Sequence, residues 1–303
     1  MNILIVGLGS IALKHITAIR QIENESVIYA LRRNNNSENM EGIVNIYSIN
    51  ELNNDKIDFA IISNPTSEHI KTINLLVTLK CPLFIEKPLS NTMEANITVQ
   101  TIKQLNILTY IACNLRFLEC IKYIKNYLTN NKKRINEINV YCGSFLPNWR
   151  ANVNFRESYS VMKEKGGGVN LDLIHEIDYI YWFFGKPINT IKKFRNKSSL
   201  NIDANDYANF YLEYDNFSVS IILNYYRNDT KRTMEILFED ETWLVDLIKN
   251  NIISNGNVIF NSTQQIPDTY LEQMKYFFEL INKNALSSFN TIEDAFEVLK
   301  IGI

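Results

Sequence analysis

Residues 2–12, NILIVGLGSIA, decide the fold. Asn2–Val6 is a short, continuously apolar run, the pattern of a parallel strand buried on both faces. It leads straight into Gly7-Leu8-Gly9-Ser10-Ile11-Ala12, and an amphipathic stretch follows from Ile11 to Ile22. Strand, Gly-rich turn and helix together spell G-x-G-x-x-A. Gly7 permits the tight turn, Gly9 leaves room for a pyrophosphate against the backbone, and Ala12 is the small residue where helix meets strand. The backbone N–H groups at the helix start, Ser10 and Ile11, would face the phosphates. The plainer alternative is a Gly turn in an ordinary α/β protein. The strand before the turn and the helix after it favour dinucleotide binding.

Further along, Ser26–Leu31 reads as a second strand. Folds that bind NAD usually place an acid at its end, for the ribose 2′-OH. This chain has Arg32 and Arg33 there and no acid. Guanidinium pairs well with phosphate, so the site leans towards NADP(H) over NAD(H); the alternative is two solvated arginines at a strand end. Residues 34–41 read as a polar loop. Ile57–Ser63 is another buried strand, running into Asn64-Pro65-Thr66-Ser67-Glu68-His69. Polar residues at the carboxyl end of a parallel strand face the ligand crevice, which makes Ser63, Asn64 and Thr66 candidate cofactor residues. Thr66 or Ser67 is expected to cap a helix over Glu68–Lys80. His69, in its first turn, reads as a structural or cofactor-side group rather than a base. Pro82–Ile85 is the next strand and ends in Glu86-Lys87-Pro88. An ammonium held there would project into the same crevice; the alternative is a surface Lys in a turn. A helix over Met93–Leu105 and a strand over Ile107–Cys113 lead to Asn114-Leu115-Arg116-Phe117, and a helix over Cys120–Leu128 leads out of the first domain.

A second informative stretch is Gly166–Gly185, GGGVNLDLIHEIDYIYWFFG. At helical spacing Asp172 and His175 share a face, as do His175 and Asp178. The surrounding residues are so apolar that the helix must be buried, and unpaired buried charge is expensive. Two readings fit: a catalytic site lying against a core, or a polar network that orients the helix.

From Ile135 the rhythm changes. Ile138–Ser144, Tyr207–Tyr214, Ser218–Tyr226, Arg232–Phe238 and Glu241–Leu247 alternate or carry β-branched and aromatic residues, which predicts antiparallel strands of one open sheet. Asn251–Phe260 predicts a hairpin turning at Asn255-Gly256, and helices return over Thr269–Asn282 and Ile292–Ile301. The expected class is α/β: a doubly wound parallel sheet over residues 1–120, then an α+β domain with an open, mainly antiparallel sheet over 121–303, its last helix free to pack back on the first domain. The 303 residues suit two domains. A net charge of −2 gives no electrostatic footprint for nucleic acid. Cys81, Cys113, Cys120 and Cys142 form no CxxC pair and no zinc spacing, so reduced thiols and no metal are expected. No apolar run approaches the roughly 18 residues of a membrane span. The first residues resemble no signal peptide. A cytoplasmic protein is expected.

GLGSIA, SNPTSEH, EKP and GGGVNLDLIHEIDYIYWFFG occur in this order, and with them the chain resembles the Gfo/Idh/MocA oxidoreductases, NAD(P)-dependent enzymes acting mainly on sugars and cyclitols. Residues 143–159, GSFLPNWRANVNFRESY, are similar to members associated with surface-polysaccharide and nonulosonic-acid genes. Those members typically read SYLPDWHP, so Asn148 and Arg150 stand where they carry an acid and a His. The resemblance implies a Rossmann domain for the first half and, for the second, a sheet that forms the substrate floor and a homodimer or homotetramer interface. It implies that Lys87 is the catalytic lysine, that His175 transfers the proton, and that Asp172 supports it, with Asp178 the other candidate. Much of the family spaces the pair D-x-x-x-H; this chain has D-x-x-H. Glu86, Asn114 and Arg116 would lie on the cofactor side, Asn114 and Arg116 beside the nicotinamide. Asn148, Trp149, Arg156, Tyr159 and Asp178 are the candidate substrate residues.

The implied reaction moves a hydride between nicotinamide and the CH–OH carbon of a sugar or nucleotide-activated sugar. A neutral imidazole suits proton transfer at physiological pH, and an ammonium on the same oxygen would stabilise developing negative charge. Two other activities share part of the pattern. An NAD-dependent glycosidase would keep the fingerprint and EKP. A non-catalytic cofactor-binding sensor would be expected to lose Lys87 or His175, and both are present.

Overall fold

In the computed structural model, which describes residues 1–34, 39–52, 55–150 and 153–303, six parallel strands carry the first half of the chain. They are β1 (Asn2–Val6), β2 (Val27–Leu31), β3 (Ile43–Ile46), β4 (Phe59–Ile62), β5 (Leu83–Glu86) and β6 (Thr109–Ala112), in the order β3-β2-β1-β4-β5-β6. This is the doubly wound order in which a ligand crevice opens at the carboxyl ends of β1 and β4. Every residue of β4, β5 and β6 is buried, which is why these runs carry no polar alternation. Helices α1 (Ser10–Ile22), α2 (His69–Leu76) and α3 (Ala95–Gln104) are the connections.

The helix expected over residues 68–80 is shorter than that. Single 3-10 turns at Thr66–Glu68 and Val77–Leu79 flank α2, and Lys80 ends it in the left-handed region at φ 50°. Neither Thr66 nor Ser67 caps it; no side-chain cap bond is made at either helical start. β3 was not expected. It is the edge of its sheet and only Ile46 is buried, so it lacks the apolar run that marks β4–β6. Of the expected polar loop at 34–41, residues 35–38 lie outside the described residues.

The chain packs as two compact units: Met1–Cys113 with Tyr270–Leu299, and Asn114–Thr269 with Lys300–Ile303. The first unit thus takes in most of α7 (Thr269–Asn282) and α8 (Ile292–Gly302). The cause is aromatic. Phe277 meets Phe59 at 5.2 Å and Phe84 at 5.3 Å, both edge-on, and Phe278 meets Phe59 at 5.5 Å. The segment before α8 also closes the edge strand β6: Ile111 N–H donates to the Asn290 carbonyl at 3.0 Å and the Asn290 amide returns to the Ile111 carbonyl at 2.9 Å. An edge strand is thereby removed from solvent.

The second unit begins with α4 (Glu119–Asn130) and carries the paired helices α5 (Val169–Asp172) and α6 (His175–Phe184). Its sheet has eight strands: β7 (Ile135–Phe145), β8 (Asn189–Arg195), β9 (Tyr207–Glu213), β10 (Ser218–Asn224), β11 (Tyr226–Phe238), β12 (Thr242–Asp246), β13 (Asn251–Ser254) and β14 (Asn257–Asn261). Their order is β14-β13-β12-β11-β7-β10-β9-β8. The pairing is antiparallel except between β7 and β10. The hairpin turns at Asn255 and Gly256, whose φ of 47° and 82° are the paired positive values of a two-residue hairpin turn. β8, again an edge strand, was not expected. Lys192 and Lys193 interrupt its alternation, as charged residues do on strands that must not pair further.

One expectation is corrected here. The segment 166–185 is not a single helix. Leu173 leaves the helical region at φ −100°, ψ 33°, and separates α5 from α6. The two pieces are anchored differently, α5 through Val169 N–H to the Asn205 carbonyl and Asn170 to the Gly302 carbonyl, α6 through ion pairs described below. The shared face of Asp172 and His175 therefore does not follow from helical periodicity. Among the described residues no helix is long and apolar enough to cross a membrane.

Candidate active site

In the first unit the fingerprint turn is built around Gly7. Its φ is +91°, and a Cβ there would sit 2.5 Å from the Asn64 backbone, so both conformation and contact require glycine. Ser63 Oγ ties the same turn by donating to the Gly7 carbonyl at 2.8 Å. Gly9 differs. Its backbone, φ −94° and ψ −173°, suits any residue, and a Cβ would meet nothing within 4 Å. What glycine preserves at this position is open space at the start of α1. Ala12 is fully buried, as a residue at the helix–strand contact must be.

At the end of β2 the two arginines part. Arg33 is exposed and pairs with Glu68 at 3.3 Å, a contact of little net worth in solvent. Arg32 is partly buried, and its Nη1 finds no hydrogen-bond partner among the described residues. The open space at Gly9 fits a bound dinucleotide. His69 is 1% exposed and held from both sides, Nε2 on the Asn64 carbonyl and Nδ1 on that of Pro88, each at 2.9 Å. Burial lowers its pKa, and a neutral ring carries one N–H, so it donates to one of these carbonyls and packs against the other; it bridges the two loops, the structural reading of this residue. Thr66 is buried.

Lys87 is half-buried between Glu86 and Pro88, at a cis peptide bond. Glu86 is not open to a ligand on both oxygens: Oε1 lies 2.6 Å from Nε2 of His15, which is fully buried. Sequence reading overlooked His15. The available signal was an imidazole on the apolar face of α1, in line with Ala12, Ala18 and Ile19, all buried.

In the second unit three glycines set the approach to α5. Gly166 and Gly168 have φ of +80° and +130°, and a Cβ on Gly167 would stand 2.2 Å from the Tyr159 carbonyl. The chain at Tyr159 and Ser160 thus lies directly on the start of the helical segment. Its buried charges all have partners. Tyr225 donates to Asp172 Oδ2 at 2.6 Å. The Tyr159 hydroxyl is pushed up chiefly by the Asp172 charge, then by burial and a hydrogen bond to Asp172. Glu176, fully buried, takes Arg232 Nε at 2.6 Å and Nη2 at 3.2 Å. Asp178 takes Arg116 in the same forked way, at 2.9 and 2.7 Å. His175 is 8% exposed and is the first residue of α6.

The expected residues fall into groups. Trp149 packs edge-on against Tyr225 at 5.3 Å and Arg150 stands over the Tyr159 ring at 5.7 Å, so this loop gathers around Asp172. Asn148 is exposed, and Arg156 is exposed with a bond to the Asn201 carbonyl. Arg116, expected beside the nicotinamide, is 2% exposed, forked onto Asp178 and stacked 5.3 Å from the Trp182 ring. Asn114 is buried on Thr269 at 2.7 Å.

A doubly wound sheet with this fingerprint, followed by an open mixed sheet, defines the two-domain dehydrogenase class. Residues 1–111 match the oxidoreductase family with an NAD-binding Rossmann fold, and residues 131–243 match the GFO/IDH/MocA C-terminal domain. The chain belongs to the Gfo/Idh/MocA family of NAD-binding oxidoreductases. It is 27% identical over 209 residues to an oxidoreductase of Formosa agariphila, 62% of either chain. It is 25% identical over 224 residues to the glucose-6-phosphate 3-dehydrogenase of Bacillus subtilis, 68% of this chain and 62% of that one. Both matches thus span under two thirds of the relative's length. The fold is also that of a UDP-N-acetylglucosamine 3-dehydrogenase from Acidithiobacillus ferrooxidans, with a TM-score of 0.79 and 16% identity over 100% of this chain and 95% of that one.

Proposed function

We propose that this protein is a dehydrogenase that moves a hydride between NAD(P) and the CH–OH carbon of a sugar or nucleotide-activated sugar, with NADP(H) preferred, in bacterial surface-glycan biosynthesis. The observation that carries the reading is the arrangement around α6. Every carboxylate of this buried segment is tied to a guanidinium or a phenol. His175 is its one group whose ordinary pKa lies near neutrality. The relatives named above support a sugar as the substrate class.

When bound, the nicotinamide supplies the hydride acceptor or donor. The chain's residues do the rest. His175 takes the hydroxyl proton during oxidation and returns it during reduction. The Lys87 ammonium stabilises negative charge on the same oxygen. In this reading Asp172 supports His175 and Asp178 has a positioning role, which its forked pairing with Arg116 favours. Trp149, Arg150 and Tyr159 receive the sugar. The open face of the second sheet joins copies of the chain into a homodimer or homotetramer.

The test is a screen of sugars, sugar phosphates and nucleotide-activated sugars with both cofactors, read by absorbance of reduced nicotinamide. Turnover with a member of these classes is expected. Release of an aglycone without net change in reduced cofactor would replace this reading by glycosidase chemistry.

A further inference from the structure

His15 sits on the buried face of α1 with Ala12, Ala18 and Ile19, and is itself fully buried. Its ring lies edge-on to Phe84 at 4.8 Å and to Tyr270 at 6.2 Å, and its Nε2 is 2.6 Å from Glu86 Oε1. An ionised carboxylate only accepts, and Nδ1 has no hydrogen-bond partner among the described residues, so Nε2 carries the proton and donates it to Glu86. Phe84 and Glu86 are two residues apart on β5 and therefore face α1 together. A polar pair buried between a helix and a strand is costly to leave half-made. It holds one orientation, where apolar side chains would supply contact without direction.

What this pair orients is the next residue. Lys87 is the first residue beyond β5, and consecutive residues of an extended chain point to opposite sides. Holding Glu86 on the α1 side turns Lys87, which is half-buried, away from α1. Beyond the lysine, the Pro88 carbonyl lies 2.9 Å from Nδ1 of His69, the first residue of α2. Imidazoles from two helices thus meet the residues on either side of Lys87 in the chain. α1 also opens with the fingerprint turn, and His15 lies five residues after Ser10, about 7.5 Å along the axis. One rigid helix carries both the phosphate-facing turn and the group that holds Glu86.

We propose that His15 is a positioning residue: through its bond to Glu86 it fixes the direction in which the Lys87 ammonium is presented. Its effect on turnover rests on the reading of Lys87 as the group on the substrate oxygen. Its effect on the lysine itself rests on the geometry of the first unit alone.

The experiment reads both. The full chain is reductively methylated with formaldehyde and cyanoborohydride, and each lysine is quantified by peptide mass spectrometry, with the exposed Lys71 and Lys103 as internal references. In His15→Leu, Lys87 should react severalfold faster than in the unaltered protein while the references keep their rates. His15→Gln, which retains a donor for Glu86, should restore the original rate. Glu86→Ala removes the same bond without leaving a carboxylate unpaired and should match His15→Leu. In turnover, His15→Leu should lower kcat by about 10–10²-fold with cofactor affinity nearly unchanged, and should cost nothing further in a Lys87→Ala background. An unchanged Lys87 rate in His15→Leu or Glu86→Ala protein with the original circular dichroism spectrum overturns the proposal. So does loss of folding in both variants, which would make the pair structural, and so do kcat losses that multiply with Lys87→Ala. If Lys87→Ala turns over normally, the reading of the lysine as catalytic falls, and the methylation rates still decide whether His15 positions it.

Discussion

Tyr225 donates its phenol to Asp172 Oδ2 at 2.6 Å, from the corner between β10 and β11 to the last residue of α5. Both side chains are buried, and a hydrogen bond to a buried carboxylate is costly to leave unmade. Tyr225→Phe should destabilise the protein by about 1–3 kcal/mol in denaturant titration. It should also lower kcat more than it changes KM for the sugar, because Asp172 is the support assigned to His175. Full stability together with full turnover would remove Tyr225 from the site.

Asp178 and Arg116 make the more demanding pair, 2% exposed at each residue. Asp178→Asn removes the counter-charge of a buried guanidinium and should cost about 3–5 kcal/mol, measured by the shift of the unfolding midpoint. A variant that stays stable but loses turnover would return Asp178 to the chemistry and take Asp172 out of it.

The two fingerprint glycines should fail in different ways. Gly7→Ala places a Cβ 2.5 Å from the Asn64 backbone at φ +91°, and the unfolding midpoint should fall. Gly9→Val fills open space on an unstrained backbone. It should leave the circular dichroism spectrum and melting curve intact while abolishing cofactor binding. Retained binding would make the turn structural only.

Much of this was legible in the sequence, and what was missed has a common cause. Buried parallel strands announce themselves as apolar runs, and the Gly-x-Gly turn is local. The edge strands β3 and β8 bury little, so nothing in their residues marks them. The break at Leu173 and the partners of the buried charges are set by residues far along the chain: Arg232 for Glu176, Arg116 for Asp178, Tyr225 for Asp172. Periodicity shows that charge is buried on a helix; it does not show what neutralises it. His15 was missed for a related reason, since Glu86, its partner, lies 71 residues further along the chain and joins it only after folding.

The arginines after β2 should also separate. Arg32, with its buried unpartnered Nη1, is expected to set cofactor choice, and Arg33, exposed on Glu68, to matter little. Arg32→Ala should weaken NADP by about tenfold and leave NAD nearly unchanged in equilibrium binding. An NAD preference in the unaltered protein, insensitive to either arginine, would reverse the cofactor reading.

The central claim is that Lys87 and His175 act on one substrate oxygen, and a double-mutant cycle on kcat tests it most directly. His175→Ala and Lys87→Ala should each lower kcat by about 10²–10⁴-fold with cofactor affinity nearly unchanged. The double variant should lose little more than the worse single one, because groups acting on the same proton and the same developing charge are far from additive. A His175→Ala protein that melts earlier but turns over normally, or single losses that multiply in the double variant, would contradict the account.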